Sequence, residues 1–154
     1  MKQLKQVTEF MELMDQPILD SPQIPDKKRT DLRVELIEEE TKELVDAIKD
    51  GNIIEVADAL GDILYVTLGA VNEFGLGKVF EKVFDEIQRS NMSKACVKHE
   101  HAIDTLNFYE SIKGVLCKIE EKNGKYLVRR LMDDKQLKCL HSYSGPNLKK
   151  ILDN

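Results

Sequence analysis

Apolar positions recur at helical spacing over the first ninety or so residues and then give way to shorter, alternating runs. In residues 2–14, Leu4, Val7, Phe10, Met11 and Met14 stand three and four apart, the repeat of one helical face. The stretch PILDSPQIPDKKR carries three prolines and reads as a loop. A second helix is expected from Thr30 as N-cap to Gly51 as the residue just past its end, with Leu32, Leu36, Ile37, Leu44, Ala47 and Ile48 forming a broad apolar arc. Asn52 caps a third helix running to about Phe74, and Val79, Phe80, Val83, Phe84 and Ile87 mark a fourth. After Lys94 the character changes. KHEHAIDTLNFYESI is either a short helix or an irregular crossing, and VLCKIEE, KYLVRRL and QLKCL read as strands, with Asn123-Gly124 as a hairpin turn. The expected fold class is mainly α: an antiparallel helical bundle over residues 1–94, then a small C-terminal β meander within 95–154, packed on the same domain.

The third helix carries the informative conflict. At about 100° per residue, Ile53, Val56, Ala57, Leu60, Ile63, Leu64, Thr67, Leu68 and Val71 cover most of its circumference. Glu55, Asp58 and Asp62 fall together on one narrow stripe that Tyr65 and Gly69 continue. A helix apolar on nearly every side belongs in a core. Carboxylates there are costly unless paired or bound to a cation, and no Lys or Arg lies between Gly51 and Gly77. On the preceding helix Glu40 and Glu43 fall inside the apolar arc, Glu39 lies at its edge and Glu38 points away. The short link Asp50-Gly51-Asn52 favours an antiparallel hairpin that brings the two acidic stripes face to face. The expectation is a buried, all-oxygen cation site, which selects Mg²⁺ or Mn²⁺ over zinc or copper. Blander roles compete: Glu38–Glu40 as a solvated run, Glu55 as the capping partner of Asn52, and Asp58 or Asp62 as ion-pair partners of Arg33 or Lys94.

Composition narrows the function classes. With 154 residues, 33% charged and 42% hydrophobic, the chain is globular rather than disordered. A net charge of −5 argues against a nucleic acid polymer as partner but leaves room for a small nucleotide. Ile53–Val71 has the length of a membrane span, yet its three central acids argue against one, and MKQLKQVTEFMELMDQ lacks the apolar core of a signal peptide. Cys96, Cys117 and Cys139 are odd in number and without CxxC spacing, so neither a disulfide framework nor a zinc ribbon is expected, and the location expected is cytoplasmic. His99 and His101 are set aside as metal ligands, and a di-iron bundle is excluded because no His precedes residue 99. Lys125, Arg129, Arg130, Lys135 and Lys138 are taken as a solvated face rather than a phosphate clamp. The third helix is too apolar for one chain to cover, which predicts a homodimer or higher homo-oligomer.

Glu39-Glu40-x-x-Glu43 followed by Glu55-x-x-Asp58, on two consecutive helices, resembles the MazG-like all-α NTP pyrophosphohydrolase superfamily. The surrounding LIEEETKELVDAI, EVADALGDILYV and QRSNMSK are most similar to its phosphoribosyl-ATP-pyrophosphohydrolase-like branch, which includes dUTP-hydrolysing members. The resemblance covers roughly residues 30–94. It implies hydrolysis of a nucleoside triphosphate to monophosphate and pyrophosphate, with Glu39, Glu40, Glu43, Glu55 and Asp58 holding Mg²⁺ or Mn²⁺. Glu40 or Glu43 would orient the attacking water. Asp62 stands where some relatives carry Tyr and is an additional candidate ligand. Asn91 and Lys94 carry over as nucleotide contacts, with Arg89 as a weaker one. Phosphoribosyl-ATP hydrolysis is the nearest alternative, and a non-catalytic helical interaction module is the alternative from another class.

Overall fold

The computed structural model describes residues 1–153 and is mainly helical, with one small antiparallel sheet. In chain order the elements are α1 (Lys2–Leu13), α2 (Lys27–Asp50), α3 (Ile53–Glu73), α4 (Phe80–Met92), α5 (His99–Lys113), β1 (Cys117–Lys122), β2 (Lys125–Arg130) and the single turn α6 (Lys149–Leu152). The chain divides into two compact units, Met1–Glu81 and Lys82–Asn154.

In the first unit, α2 and α3 form the expected antiparallel hairpin. Gly51 ends α2 in the left-handed conformation (φ 67°), and the Asn52 side chain accepts from the amides of Ile54 (3.1 Å) and Glu55 (3.4 Å). The start of α2 corrects the expectation. Helix begins at Lys27, because Asp26 rather than Thr30 caps it by accepting from the Arg29 amide at 3.0 Å. Leu4, Val7 and Met11 of α1 bury against Leu68 and Val71 of α3, with Leu76 and Phe80 packed around them. The loop after α1 crosses the end of α3, where the Leu19 amide donates to the Asn72 carbonyl and the Gln23 amide to the Phe74 carbonyl. Gly75 makes that crossing possible: its φ is +68°, and a Cβ there would stand 1.9 Å from the Ser21 carbonyl oxygen.

Lengths explain what this core leaves uncovered. The 12 residues of α1 span about 18 Å and the 21 of α3 about 31 Å. Buried residues of α3 concentrate in its last turns (Leu68, Gly69, Val71, Asn72 and Glu73), whereas Ile53 and Ile54 are each 75% exposed and Leu60 and Leu64 are exposed as well. The expectation of a fully buried α3 is therefore corrected for the single chain.

In the second unit, α5 resolves the open choice over residues 99–113 as a helix and packs on the β1–β2 hairpin. The turn is Asn123-Gly124, both at positive φ (51° and 70°) as a type I′ connection requires. QLKCL, expected as a strand, contributes only an isolated bridge, Gln136 with Arg129. The cysteine expectation is also corrected. Cys96 and Cys139 form a disulfide (Cα–Cα 5.4 Å) within a core that includes Ala102 and Val128, while Cys117 stays free and buried. No helix among the described residues is long and apolar enough to cross a membrane.

Candidate active site

Helical geometry gives the α2–α3 hairpin two unlike sides. On α3, Val56, Ala59, Ile63 and Val66 turn toward α2, and by helical rotation Glu55, Asp58 and Asp62 stand about a quarter-turn to one side. On α2, Glu39, Glu40 and Glu43 lie on that same side. The opposite side is apolar: Val34, Ile37 and Ile48 on α2, and Ile53, Leu60 and Leu64 on α3, all exposed.

The acids are not buried as expected. Glu40 is half-buried, and Glu39, Glu43, Glu55, Asp58 and Asp62 are exposed. A two-helix groove shields a side chain from one direction only, and α1 adds cover only at the cavity beside Glu40 and Asp62. The Glu40 carboxyl is nevertheless held above its ordinary value, first by partial desolvation and then by the charges of Asp62, Glu43, Glu39 and Asp58. Five carboxylates thus share one field, and no cation offsets it at Glu40. Glu55 lies outside that set. Its side chain closes no capping box either, because the Asn52 amide donates to the Ala47 carbonyl. Among the described residues no three of these groups converge tightly enough to hold an ion by themselves.

Beside Glu40 and Asp62 lies a cavity of about 360 Å³, walled by Val7, Phe10 and Met11 of α1, Arg33 and Leu36 of α2, and Tyr65, Val66 and Gly69 of α3. Phe10 and Tyr65 meet edge to face there, with ring centroids 5.7 Å apart. Arg33 does not pair with Asp58 or Asp62. Its Nε donates to Glu73 Oε2 at 2.7 Å, and Arg29 contacts the other oxygen of Glu73. Glu73 is 1% exposed, so this ion pair anchors α2 to the end of α3. Gly69 leaves room for it, since a Cβ at Gly69 would meet Arg33 Nη1 at 2.6 Å. The sequence reading missed this pairing: the partners are 40 residues apart, and only the unexplained Gly69 on the acidic stripe hinted at a close approach.

The remaining candidates lie in the second unit. Lys94 Nζ donates to Asn91 Oδ1 at 2.8 Å. Arg89 is engaged otherwise, donating from Nε to Glu86 (2.8 Å) and from Nη2 to the Gly145 carbonyl (3.0 Å). His99 packs edge to face on Tyr126 and His101 stacks on His141, so the two do not act together. Arg129 pairs with Glu120 and Arg130 with Asp133, whereas Lys125 helps line a cavity.

Among known proteins, the chain is similar to the uncharacterized protein L479 of Acanthamoeba polyphaga mimivirus, at 23% identity over 79% of this chain and 82% of that protein. Residues 7–91, from α1 nearly to the end of α4, match the phosphoribosyl-ATP pyrophosphohydrolase family, whose activity type is hydrolysis of a phosphoric anhydride. The chain therefore belongs to the phosphoribosyl-ATP pyrophosphohydrolase family, within the MazG-like all-α NTP pyrophosphohydrolase superfamily.

Proposed function

We propose that the protein is a divalent-metal-dependent pyrophosphohydrolase that converts a nucleoside or deoxynucleoside triphosphate to the monophosphate and pyrophosphate. The observation that carries this reading is the uncompensated field of Glu40 and the four carboxylates around it, opening beside an aromatic-walled cavity. A clustered negative field without a preformed cage suits Mg²⁺ or Mn²⁺ arriving with a triphosphate. Mg²⁺ in particular is commonly held by one or two carboxylates together with substrate phosphates and water. Glu39, Glu40, Glu43, Glu55, Asp58 and Asp62 are the residues that hold it. The bound ion supplies charge neutralisation at the phosphates and a more acidic water.

The chain's own groups do the rest. Glu40, whose proton affinity is raised by its surroundings, or Glu43 accepts a proton from the attacking water. The water oxygen bonds to the α-phosphorus as the bond to the pyrophosphate oxygen breaks on the opposite side. Phe10 and Tyr65 offer ring surface to a base.

The apolar side of the hairpin supports a homodimer or higher assembly. Ile53, Ala57, Leu60 and Leu64 stand four, three and four apart, and the same row continues into Leu68 and Val71, which the core of the first unit covers. Such a row is the seam one helix offers another.

The test is hydrolysis of a panel of triphosphates, and of phosphoribosyl-ATP, with Mg²⁺ or Mn²⁺. Pyrophosphate and monophosphate should appear for at least one nucleoside triphosphate. Glu43→Gln and Asp58→Asn should each lower turnover by at least ~10²-fold with the fold intact. Orthophosphate as product, or variants at near wild-type rate, would sink the reading. Turnover of phosphoribosyl-ATP alone would replace the substrate class.

A further inference from the structure

The three cysteines share one core in the second unit, and the chain treats them unequally. Cys96 and Cys139 are joined across 43 residues of sequence, whereas Cys117 is free and buried. Burial and then the Glu110 carboxylate push the Cys117 thiol up, which keeps it protonated and a poor nucleophile toward the disulfide.

The two joined residues are anchored differently. The Cys96 amide donates to the Tyr126 carbonyl (2.8 Å) and the Tyr126 amide to the Cys96 carbonyl (2.9 Å), so Cys96 is fastened to β2 whatever its sulfur does. Cys139 is the one buried residue in the described stretch 131–153. Around and past it, single hydrogen bonds hold the chain. The Cys139 amide donates to the Lys94 carbonyl (3.1 Å), the Leu140 amide to the Thr105 hydroxyl (3.1 Å) and the Ser142 hydroxyl to the Ala95 carbonyl (2.8 Å). Bonds of this kind contribute little where water can replace them. The sulfur link is therefore the main fastening of residues 139–147, and a local opening of that segment bares Cys139 without disturbing α5 or the hairpin.

The pocket suits both oxidation states. Thr105 is fully buried, and its Oγ1 lies 3.7 Å from each of the two sulfurs. A hydroxyl has one proton and two lone pairs. The proton goes to the His101 carbonyl at 2.6 Å and one lone pair takes the Leu140 amide, which leaves the other for a thiol S–H. A thiol formed there meets an acceptor rather than a bare apolar wall.

We propose that Cys96–Cys139 is a reversible redox latch, which ties residues 139–147 to the rest of the second unit and releases them on reduction by a protein dithiol. A thiolate of the dithiol bonds to Cys139 Sγ as the S–S bond breaks, and Cys96 leaves as a thiolate and takes a proton. The second thiol of the reductant gives up its proton and bonds to the first reductant sulfur, and Cys139 leaves as a thiol. Two electrons and two protons pass to the protein, and the reductant ends as its own disulfide. Cys96 stays where its backbone holds it, so oxidised glutathione closes the latch again in the same place.

The experiment is hydrogen exchange on the full chain at a single pH, after oxidised glutathione, after dithiothreitol, and after re-oxidation. Thiols are counted in each state by alkylation in denaturant, and the count should be one, three and one. On reduction the protection of the Leu140, Tyr143 and Asn147 amides should fall at least ~10-fold, while that of Cys96 and Tyr126 stays. Re-oxidation should restore it. Cys139→Ser should lack the protection with or without reductant, and Cys117→Ser should respond like the wild type; the wild type read in its two states carries the test if Cys139→Ser fails to fold. Three alkylatable thiols after oxidised glutathione would overturn the pairing. Protection unmoved by reduction would remove the latch. Protection lost equally at Cys96 and Tyr126 would make the bond a staple of the whole unit and not a switch.

Discussion

Glu40 is half-buried among acids that solvent otherwise screens, and its carboxyl is pushed upward first by desolvation and then by Asp62, Glu43, Glu39 and Asp58. An ionised group in that position works against folding. Glu40→Gln should therefore raise the Tm of the metal-free protein at neutral pH and, on the proposed function, remove the Tm increase expected of the wild type with Mg²⁺ and abolish turnover. A lowered metal-free Tm would show that the repulsion is not there. Glu86 is its counterpart. Its carboxyl is lowered to about 2, first by the hydrogen bonds from Arg89 and then by the Asn147 amide, which donates to Oε1 at 2.7 Å. A depressed carboxyl contributes stability above its unfolded value, and that stability is lost as pH falls through the folded one. The tether should hold at neutral pH and weaken from the ordinary carboxylate range down toward about pH 2. The protection of the Asn147 amide against hydrogen exchange, taken relative to its intrinsic rate at each pH, should fall over that window, and at neutral pH in Glu86→Ala; protection insensitive to both would exclude the tether. Neither setting was legible beforehand. Arg89 and Glu86 are one helical turn apart, but their link to residues 144–147 depends on where the tail returns.

At the scale of elements, the helices of the first unit were readable because their ends are chemically marked. Gly51 and Asn52 close and reopen the chain as their types require, and Asn123-Gly124 does the same for the hairpin. Thr30 failed as a cap because Asp26 offers a stronger acceptor four residues earlier, and three consecutive basic residues after it still fit a first helical turn. The acids were placed on the right faces, but burial was wrongly inferred. Periodicity tells which residues share a side of a helix, not whether another element lies over that side. The loop over the end of α3 was equally silent, since its docking rests on backbone amides and on one glycine. Gly75→Ala tests that docking. The left-handed conformation alone costs an ordinary residue about 1–2 kcal/mol, and the contact with the Ser21 carbonyl adds to it. Tm should fall by at least ~4 °C. Gly51→Ala, also at positive φ but with open space around it, should cost less, and equal losses would mean that the approach to Ser21 is not tight.

For the whole molecule, the two-sided hairpin separates two tasks. The acidic side leaves Glu39, Glu43, Glu55, Asp58 and Asp62 exposed to solvent. The apolar side carries Ile37, Ile48, Ile53, Leu60 and Leu64, each at least 40% exposed. An exposed row of that kind marks an association surface. A specific interface buries roughly 800 Å² per partner, which two helices of this length can supply. On the proposed reading the partner is a second copy, since two such faces can meet about a two-fold axis. Light scattering should therefore give a mass at least twice that of one chain. Leu60→Lys/Leu64→Lys should shift the mass to the monomer and lower Tm. In the wild type, Tm should rise with protein concentration, since association stabilises by mass action. Because these leucines lie on the side of α3 away from Asp58 and Asp62, the monomeric variant should still gain Tm from Mg²⁺. A monomer that no longer responds to the ion would mean that the second copy completes the acidic side as well, and a monomeric wild type would remove the assembly altogether.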